Sequence, residues 1–440
     1  MKINNIIGHF GEKETRKRTI FLLLLIIAIG FSVRTYIWFN GYNPATNIQL
    51  PAAHQERGLM RHGDGYLFIA SSFDPSNDRS FFDHKRSYNQ FIYPLYLAPI
   101  YLFGLNDSIY VFWLHHLFAA LTIIFIYLSA YKIGKTWVGL LAALAYACHV
   151  QFAYWFNWTF TDIPFHFHLS LLMYCGLLCW ERPSRARVFL VAISGVVLMF
   201  TRTEGFPITL VSLMVLAYRL MVPRLGATRV ITILLGSALV ILLSGVFVLT
   251  QSKAVREAVF SNPSLAWGLY YSSQETPTNA KLVDEMLLEM FAYCGHKSTA
   301  DPEKRDGQYW CSVEGLKRIK NDPLNYARVV VKRIPHAIFP SFYREGVSWR
   351  YKLIDRTVMS FIIIGVICAL MFRNKEKFAS VGLVLMGLTI YMIVIILHSE
   401  WDVRVQLAAH VLLIPVASLG WVMLLNRFNK RFQLKKGLTP

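Results

Sequence analysis

The chain has 440 residues, of which 55% are hydrophobic and only 16% carry a charged side chain, and its mean hydropathy is +0.41. This composition excludes a soluble globular protein and indicates an integral membrane protein. The formal net charge of +19 does not indicate a nucleic-acid-binding domain, because the basic residues lie in short clusters between apolar runs.

The first apolar run, residues 20–39, follows a basic stretch at residues 13–18. It has neither the short core nor the small-residue cleavage site of a signal peptide, so we expect a retained anchor whose N-terminus is cytoplasmic. The first loop, residues 40–90, is then extracytoplasmic. The next apolar stretch, residues 91–103, is too short to cross a bilayer and predicts an interfacial or re-entrant helix.

Nine further apolar runs predict additional membrane spans. They cover residues 109–131, 137–151, 163–180, 188–200, 206–221, 230–250, 357–372, 378–397 and 405–425. Every short loop that this order assigns to the cytoplasm is basic, as the positive-inside rule requires. The sequence therefore predicts an all-α polytopic membrane protein with about ten transmembrane helices and both termini cytoplasmic.

We expect three parts: a membrane module at residues 1–250, an external loop domain at 251–356, and C-terminal spans with a basic cytoplasmic tail at 357–440. Helical spacing at residues 281–293 predicts one helix of the external loop. Asp322 as N-cap and Pro323 in the first turn predict another, which runs to Arg333. The loop should therefore form a small helical cap.

Two cysteines, Cys294 and Cys311, lie in one polar stretch of the external loop. They could form a disulfide, which requires an oxidising compartment, and the sequence leaves the pairing open. The histidines in or beside the spans show no i, i+4 pair that would suit a metal, and we expect them to be packed in the neutral state. Among them are His115, His116, His149, His166 and His168.

Asp64 lies between two glycines in the hexapeptide Arg61-His62-Gly63-Asp64-Gly65-Tyr66 of the first external loop. Glycine is used where a backbone must approach a ligand closely, which favours Asp64 as a catalytic base. The alternative is a polar surface turn, because Gly-Asp-Gly is also common turn chemistry.

The predicted topology brings six ionisable residues from four loops to one membrane face: Asp64, Asp162, Arg202, Glu204, Glu400 and Arg404. Such groups cost free energy at the membrane margin unless they are paired, hydrated or used, so they define a candidate site. Alternatively, they are charged hairpin residues that only face water. Basic residues of the external loop near a span, among them Arg344, could hold the phosphate of a lipid, although long loops are translocated regardless of charge.

Five short motifs follow one another along the chain: Asp64-Gly65-Tyr66, Tyr93-Pro94-Leu95, Thr161-Asp162-Ile163-Pro164, Thr201-Arg202-Thr203-Glu204-Gly205, and Glu400 with Arg404. In order and sidedness they resemble the GT-C class of membrane glycosyltransferases, which includes protein O-mannosyltransferases and the aminoarabinose transferases that act on lipid A. The likeness covers residues 20–250 well and is loose beyond them.

The resemblance implies transfer of a sugar from a polyprenyl-phosphate donor to an acceptor hydroxyl on the extracytoplasmic face, with Asp64 as the base. The substrate-binding candidates are Arg61, His62, Tyr66, Tyr93, Asp162, Arg202, Glu204, Arg344, Glu400 and Arg404. The acceptor (lipid, glycan or protein) stays open, because Gly65 follows Asp64 where mannosyltransferases have a second acid. We predict membrane lipids as partners and no nucleic acid. The sequence indicates no definite cofactor, and a requirement for a divalent ion stays open. We expect the protein in a bacterial inner membrane rather than in the endoplasmic reticulum.

The implied chemistry needs one base and several cations, because a phosphate leaves as a stable anion and requires no acid to protonate it. Arg202, Arg344 and Arg404 are the candidates for the cation. Two other functions stay open: a lipid-linked oligosaccharide ligase or polymerase, and a transporter or flippase. A transporter would be marked by charges or Gly/Pro breaks at mid-span depth and by a repeat relating two halves.

Overall fold

A computed structural model describes residues 3–40, 42–43, 48–49, 67, 69–76, 90–149, 152, 161–202, 204–226, 269–270, 280–300, 307–338, 349–372, 378–397 and 403–435. These residues are almost entirely helical. The exceptions include a pair of two-residue antiparallel strands, β1 (Tyr42–Asn43) and β2 (Ile48–Gln49), which the sequence did not predict.

The α-helices are α1 (Ile3–Asn40), α2 (Ile92–Leu102), α3 (Asp107–Ala147), α4 (Asp162–Glu181), α5 (Arg185–Thr201), α6 (Gly205–Leu225), α7 (Ala280–Thr299), α8 (Gly307–Asn321), α9 (Pro323–Ile338), α10 (Trp349–Met371), α11 (Phe378–Leu397) and α12 (Val403–Lys435). A 3-10 turn covers Ser71–Phe73. Helix α10 begins eight residues before the predicted span, and α12 continues through most of the predicted basic tail.

Five stretches of the described residues are long and apolar enough to cross a membrane: Arg16–Tyr36, Ile109–Ala147, Asp162–Glu181, Gly205–Val222 and Leu407–Asn429. Shorter apolar helices cover Ile92–Leu102, Arg356–Met371 and Val381–Tyr391. The expected all-helical membrane protein is therefore confirmed. The predicted span at residues 230–250 lies outside the described residues.

Helix α3 bends sharply at Lys135, whose φ of 72° is non-helical. The bend divides α3 into two arms, and it falls in the predicted turn between the second and third spans. The two arms therefore run in opposite directions, so that Asp107 and Ala147 both point toward the same end of the bundle.

The main core is formed by α3, α4, α10, α11 and α12. The crossing of α10 and α12 is close because small residues meet there: a Cβ on Gly365 would lie 2.5 Å from the carbonyl oxygen of Ala417, and a Cβ on Gly420 would contact the carbonyl oxygen of Gly365. Small residues let membrane helices approach each other to this distance. The Trp421 Nε1 donates across the same interface to the Phe361 carbonyl oxygen at 2.9 Å.

Helices α7 and α9 confirm the two predicted helical segments of the long loop, whereas α8 was not predicted. The Asp322 carboxylate accepts a hydrogen bond from the Asn325 backbone N–H at 2.9 Å, which is the predicted N-cap. Cys294 of α7 and Cys311 of α8 form a disulfide, with their Cα atoms 5.5 Å apart. The bond joins α7 to α8, so it settles the pairing that the sequence left open.

A small ionic network lies beside this disulfide. The Glu314 carboxylate accepts hydrogen bonds from Arg318 Nε at 3.0 Å and from the Tyr293 hydroxyl at 3.1 Å. Burial opposes ionisation of Glu314 more than any other single influence, but these hydrogen bonds and the charge of Arg318 together outweigh it and lower the pKa of Glu314. Arg318 also lies over the Tyr270 ring, 4.7 Å from its centroid.

Candidate functional site

The charged residues Asp162, Arg202 and Glu204 meet where three helices end. Asp162 begins α4, Arg202 follows the last residue of α5, and Glu204 precedes the first residue of α6. Each charge matches its helix terminus, because carboxylates are favoured near an N-terminus and cations near a C-terminus. The sequence motifs around Asp162 and Arg202 thus form one cluster, although they lie 40 residues apart.

Arg202 is bound to both carboxylates. Its Nε donates to Glu204 Oε2 at 3.1 Å, its Nη2 donates to Glu204 Oε1 at 2.9 Å, and its Nη1 donates to Asp162 Oδ1. The exposed fractions of the side chains are 10% for Arg202, 1% for Asp162 and 6% for Glu204. The cluster is therefore a desolvated ion triad with a formal charge of −1, in which the charge of Arg202 is already offset.

Gly205 makes the tight turn between α5 and α6 possible. Its backbone N–H donates to the Arg202 carbonyl oxygen at 3.0 Å, and a Cβ on Gly205 would collide with the backbone carbonyl of Leu198. This close approach holds Arg202 and Glu204 in register, and it explains why glycine follows the acid in the motif.

A second polar group lies one to two helical turns deeper in the bundle. The His149 Nε2 lies 3.1 Å from His410 Nδ1, and the His410 Nε2 lies 3.0 Å from the Tyr391 hydroxyl. This chain links the end of α3 to α12 and α11. His166 of α4 packs on the other side, with its ring 4.9 Å from the ring of Phe152, which also contacts His149 at 4.3 Å.

Arg34 of α1 completes this deeper group and is entirely buried. Its Nη1 donates to the Gly30 carbonyl oxygen at 2.9 Å and reaches the Ala147 carbonyl oxygen at 3.5 Å. Its guanidinium carbon lies 5.4 Å from the centroid of the Tyr146 ring. The sequence analysis did not select Arg34, although it is the only charged residue in the apolar run of α1, and an isolated charge in a span is itself a signal.

Helix α2 is fastened to the same end by tyrosine and histidine pairs. The Tyr93 hydroxyl lies 3.0 Å from His115 Nε2, and the Tyr96 hydroxyl lies 3.0 Å from His168 Nε2. Tyr93, a predicted substrate-binding residue, is fully buried in an apolar cluster that also contains Ile163, the residue after Asp162. These contacts give Tyr93 a packing role in this structure.

The structure therefore brings three predicted site residues together and puts Tyr93 close to them. Arg61, His62, Asp64, Tyr66, Arg344 and Glu400 lie outside the described residues. Arg404 belongs to the first turn of α12, but its side chain is outside the described part. His410 and Tyr391 were missed because they follow the apolar pattern of their helices.

The described residues contain no group of three His, Cys, Asp or Glu side chains that could hold a metal ion. They do form a small, open apolar cleft between α4, α5, α6 and α11, lined by residues such as Leu172, Trp180 and Met386. Leu172 follows Asp162 by ten residues, or about 15 Å along α4, so the cleft is separate from the ion triad.

The fold and this cluster define a helical integral membrane protein with a buried polar site at one end of its bundle. No protein-family model matches the chain, and no curated protein matches it at a significant level.

Proposed function

We propose that this chain is a GT-C-like glycosyltransferase that moves a sugar from a polyprenyl-phosphate donor to an acceptor hydroxyl on the extracytoplasmic face, with Asp64 as the base. The observation that carries the proposal is the buried meeting of Asp162, Arg202 and Glu204 from separate membrane helices. The proposal includes about ten spans, cytoplasmic termini and a bacterial inner membrane.

The chain connection between Asp64 and the described residues supports this assignment. Leu67 follows Asp64 by three residues, which can span at most about 11 Å. Leu67 is buried in the apolar cluster that contains Tyr93 and Ile163, next to Asp162 in the sequence. A base at Asp64 would therefore act near the end of the bundle where the ion triad lies.

The reaction needs no second acid. The carboxylate of Asp64 takes the proton of the acceptor hydroxyl, and the hydroxyl oxygen forms a bond to the anomeric carbon of the sugar. The bond from that carbon to the phosphate oxygen breaks, and its electron pair leaves with the lipid phosphate. Cations must stabilise the departing charge, whereas the net negative triad is suited to hydroxyl groups of the sugar or acceptor.

The test is Asp64→Asn in the full chain, reconstituted with polyprenyl-monophosphate sugar donors. We expect transfer to be lost while insertion and thermal stability are kept. Asp74→Asn is the matched control, because Asp74 lies in the same loop and is only partly buried, with its carboxylate accepting hydrogen bonds from the Ser76 backbone N–H at 2.9 Å and the Ser76 hydroxyl at 2.7 Å. Near-normal turnover by Asp64→Asn would overturn the assignment of the base.

The donor also separates the proposal from a lipid-linked oligosaccharide ligase or polymerase. Such an enzyme would consume a diphosphate-linked glycan and leave a monophosphate sugar untouched. The two donors should therefore be supplied side by side to the same preparation.

One observation favours a transporter as a second candidate: Arg34 is a buried charge within a membrane span. It lies only six residues from the end of α1, which suits a site at the membrane margin better than a path through the bilayer. Transport of a labelled lipid-linked sugar by vesicles that carry Asp64→Asn would support this second function.

A further inference from the structure

The Arg34 guanidinium has hydrogen-bonding capacity that the protein leaves unused. Its Nε and Nη2 make no hydrogen bond of normal geometry among the described residues, and although the Tyr146 hydroxyl interacts with the guanidinium, it leaves both atoms unsatisfied in a fully buried side chain. Its one short hydrogen bond goes to the Gly30 carbonyl oxygen in its own helix. A buried cation without a counter-charge is costly, so an anion that binds only in the functional state would explain why arginine occupies this position.

The neighbouring side chains also lack acceptors. Neither ring nitrogen of His166 has a hydrogen-bond partner in the described part of the chain, and the same holds for Nδ1 of His149. Arg34 Nη1 lies 3.5 Å from the carbonyl oxygen of Ala147, two residues before His149, and the Phe152 ring contacts the rings of both His149 and His166, so the three residues belong to one buried region. A guanidinium and two imidazoles with unpartnered nitrogens in one buried region match the several oxygens of an oxyanion, and the positive charge of Arg34 does not suit a metal cation.

The carboxylates closest along the helices do not serve Arg34. Asp162 and Glu204 are both bound to Arg202, which therefore has two negative partners, while Arg34 has none among the described residues. This contrast makes Arg34 a better anion ligand than Arg202, although the sequence analysis selected only Arg202 of the two.

The geometry points to an oxyanion site formed by Arg34, His149 and His166, whose ligand is a phosphate monoester or free phosphate. Naming the phosphate of the lipid donor and product as the natural source rests on the proposed function. Arg34 lies about 9 Å before the end of α1 and His166 about 6 Å after the start of α4. A lipid headgroup could reach this depth from that end of the bundle while its chain stays in the bilayer.

The first test compares stability with binding in Arg34→Met. If Arg34 is kept for a ligand, the ligand-free variant should be at least as stable to heat as the parent chain, because a buried unpaired charge has been replaced by an apolar side chain of similar length. Phosphate binding should weaken between tenfold and a hundredfold, as expected for loss of a charged hydrogen bond. A purely structural Arg34 predicts the opposite: a less stable protein with unchanged phosphate binding.

Binding is measured by calorimetry on the full chain in nanodiscs, with inorganic phosphate, a polyprenyl phosphate and the matching polyprenol as separate probes. Weakened binding of both phosphates with unchanged polyprenol binding supports the site. If only the lipid phosphate binds, the source is the lipid headgroup, and if both bind with similar affinity, the site takes free phosphate. Arg219→Met is the control, because Arg219 lies over the Trp180 ring near the opposite end of α4.

Two variants keep the test decisive if Arg34→Met fails to fold. Arg34→Lys keeps the positive charge but loses the planar guanidinium with its several N–H donors. It should bind phosphate with an affinity between those of the parent chain and Arg34→Met. His166→Phe removes donors from a residue that holds no described hydrogen bond, so it should fold and bind phosphate more weakly. Unchanged affinity in both variants would refute the site.

The outcome is separable from that of the proposed function. Loss of phosphate binding in Arg34→Met without any sugar transfer by the parent chain would uphold the site and refute the glycosyltransferase. Sugar transfer by Arg34→Met at the parental rate would uphold the glycosyltransferase and show that the site does not hold the phosphate of the lipid donor.

Discussion

Replacing Arg202 with methionine should damage the protein more than any single change of its two acids. Arg202 and Glu204 approach to 2.9 Å, and at an effective dielectric constant near 20 each such ion pair contributes about 6 kcal/mol of Coulomb energy. Much of this Coulomb energy only offsets the cost of removing the charged groups from water. Breaking a buried ion pair costs about 3–5 kcal/mol. Because Arg202→Met removes the cation that two buried carboxylates share, we expect a cost of about 5 kcal/mol.

Glu204→Gln should cost less, about 1–3 kcal/mol, because Arg202 keeps Asp162 and the amide oxygen can still accept one hydrogen bond. The double variant Arg202→Met/Glu204→Gln should cost less than the sum of the single changes, because it leaves one buried negative charge without the Arg202 cation instead of two. This coupling should amount to about 0.5–3 kcal/mol.

The free energies are measured by titrating the full chain with SDS in mixed micelles and following tryptophan fluorescence. Arg219→Met is the control, because it removes one cation–π contact with Trp180 and should cost about 0.5–1 kcal/mol. Additive effects, or an Arg202→Met cost no greater than the control, would contradict the description of the cluster as a desolvated ion triad.

Three further predictions concern other parts of the chain. Because the pKa of Glu314 is lowered below its ordinary value of 4.5, its network stabilises the packing of α7 against α8 above pH 4.5 and loses this contribution as the pH falls through the folded-state pKa. Proteolysis across pH 3–7 should show this acid sensitivity, and Glu314→Gln should abolish it. Cys294→Ser/Cys311→Ser removes the disulfide that closes a loop over a separation of 17 residues, and it should destabilise α7 and α8 by about 3 kcal/mol. Protease resistance at neutral pH measures the effect, and the parent chain under reductant should show an equal loss. Gly205→Ala should lower the melting temperature because its Cβ collides with backbone, whereas Gly176→Ala, which has open space around it, should leave the melting temperature unchanged or raise it.

The helices could be predicted from the sequence because each is a local pattern. Asp322 and Pro323 mark the start of α9, and the break at Lys135 falls between two apolar runs. The meeting of Asp162 with Arg202 was also foreseeable, since alternating spans return every second loop to one membrane face.

The partners within the site could not be predicted, because they depend on packing between helices that are distant in the sequence. His149 and His410 are 261 residues apart, and nothing local distinguishes them from histidines packed in a core. The division of charge was equally hidden: Arg202 looked like a free cation and is neutralised, whereas Arg34 looked like part of an apolar span and has no acidic partner among the described residues. Hydropathy averages a single charge into its neighbours, so it conceals this kind of residue.

The hydrogen-bond chain from Tyr391 through His410 to His149 should respond to the anion beside Arg34. If His149 Nδ1 donates to an oxyanion, its Nε2 must accept from His410 Nδ1, and His410 Nε2 must then accept from the Tyr391 hydroxyl, provided both rings are neutral. Tyr391→Phe removes the donor that fixes this direction, so phosphate affinity should fall about threefold to tenfold, by roughly one neutral hydrogen bond. Calorimetry against Tyr131→Phe, whose ring lies outside this chain, measures the effect. Equal phosphate affinities in the two variants would show that the Tyr391 hydroxyl does not determine which ring nitrogen of His149 donates to the anion.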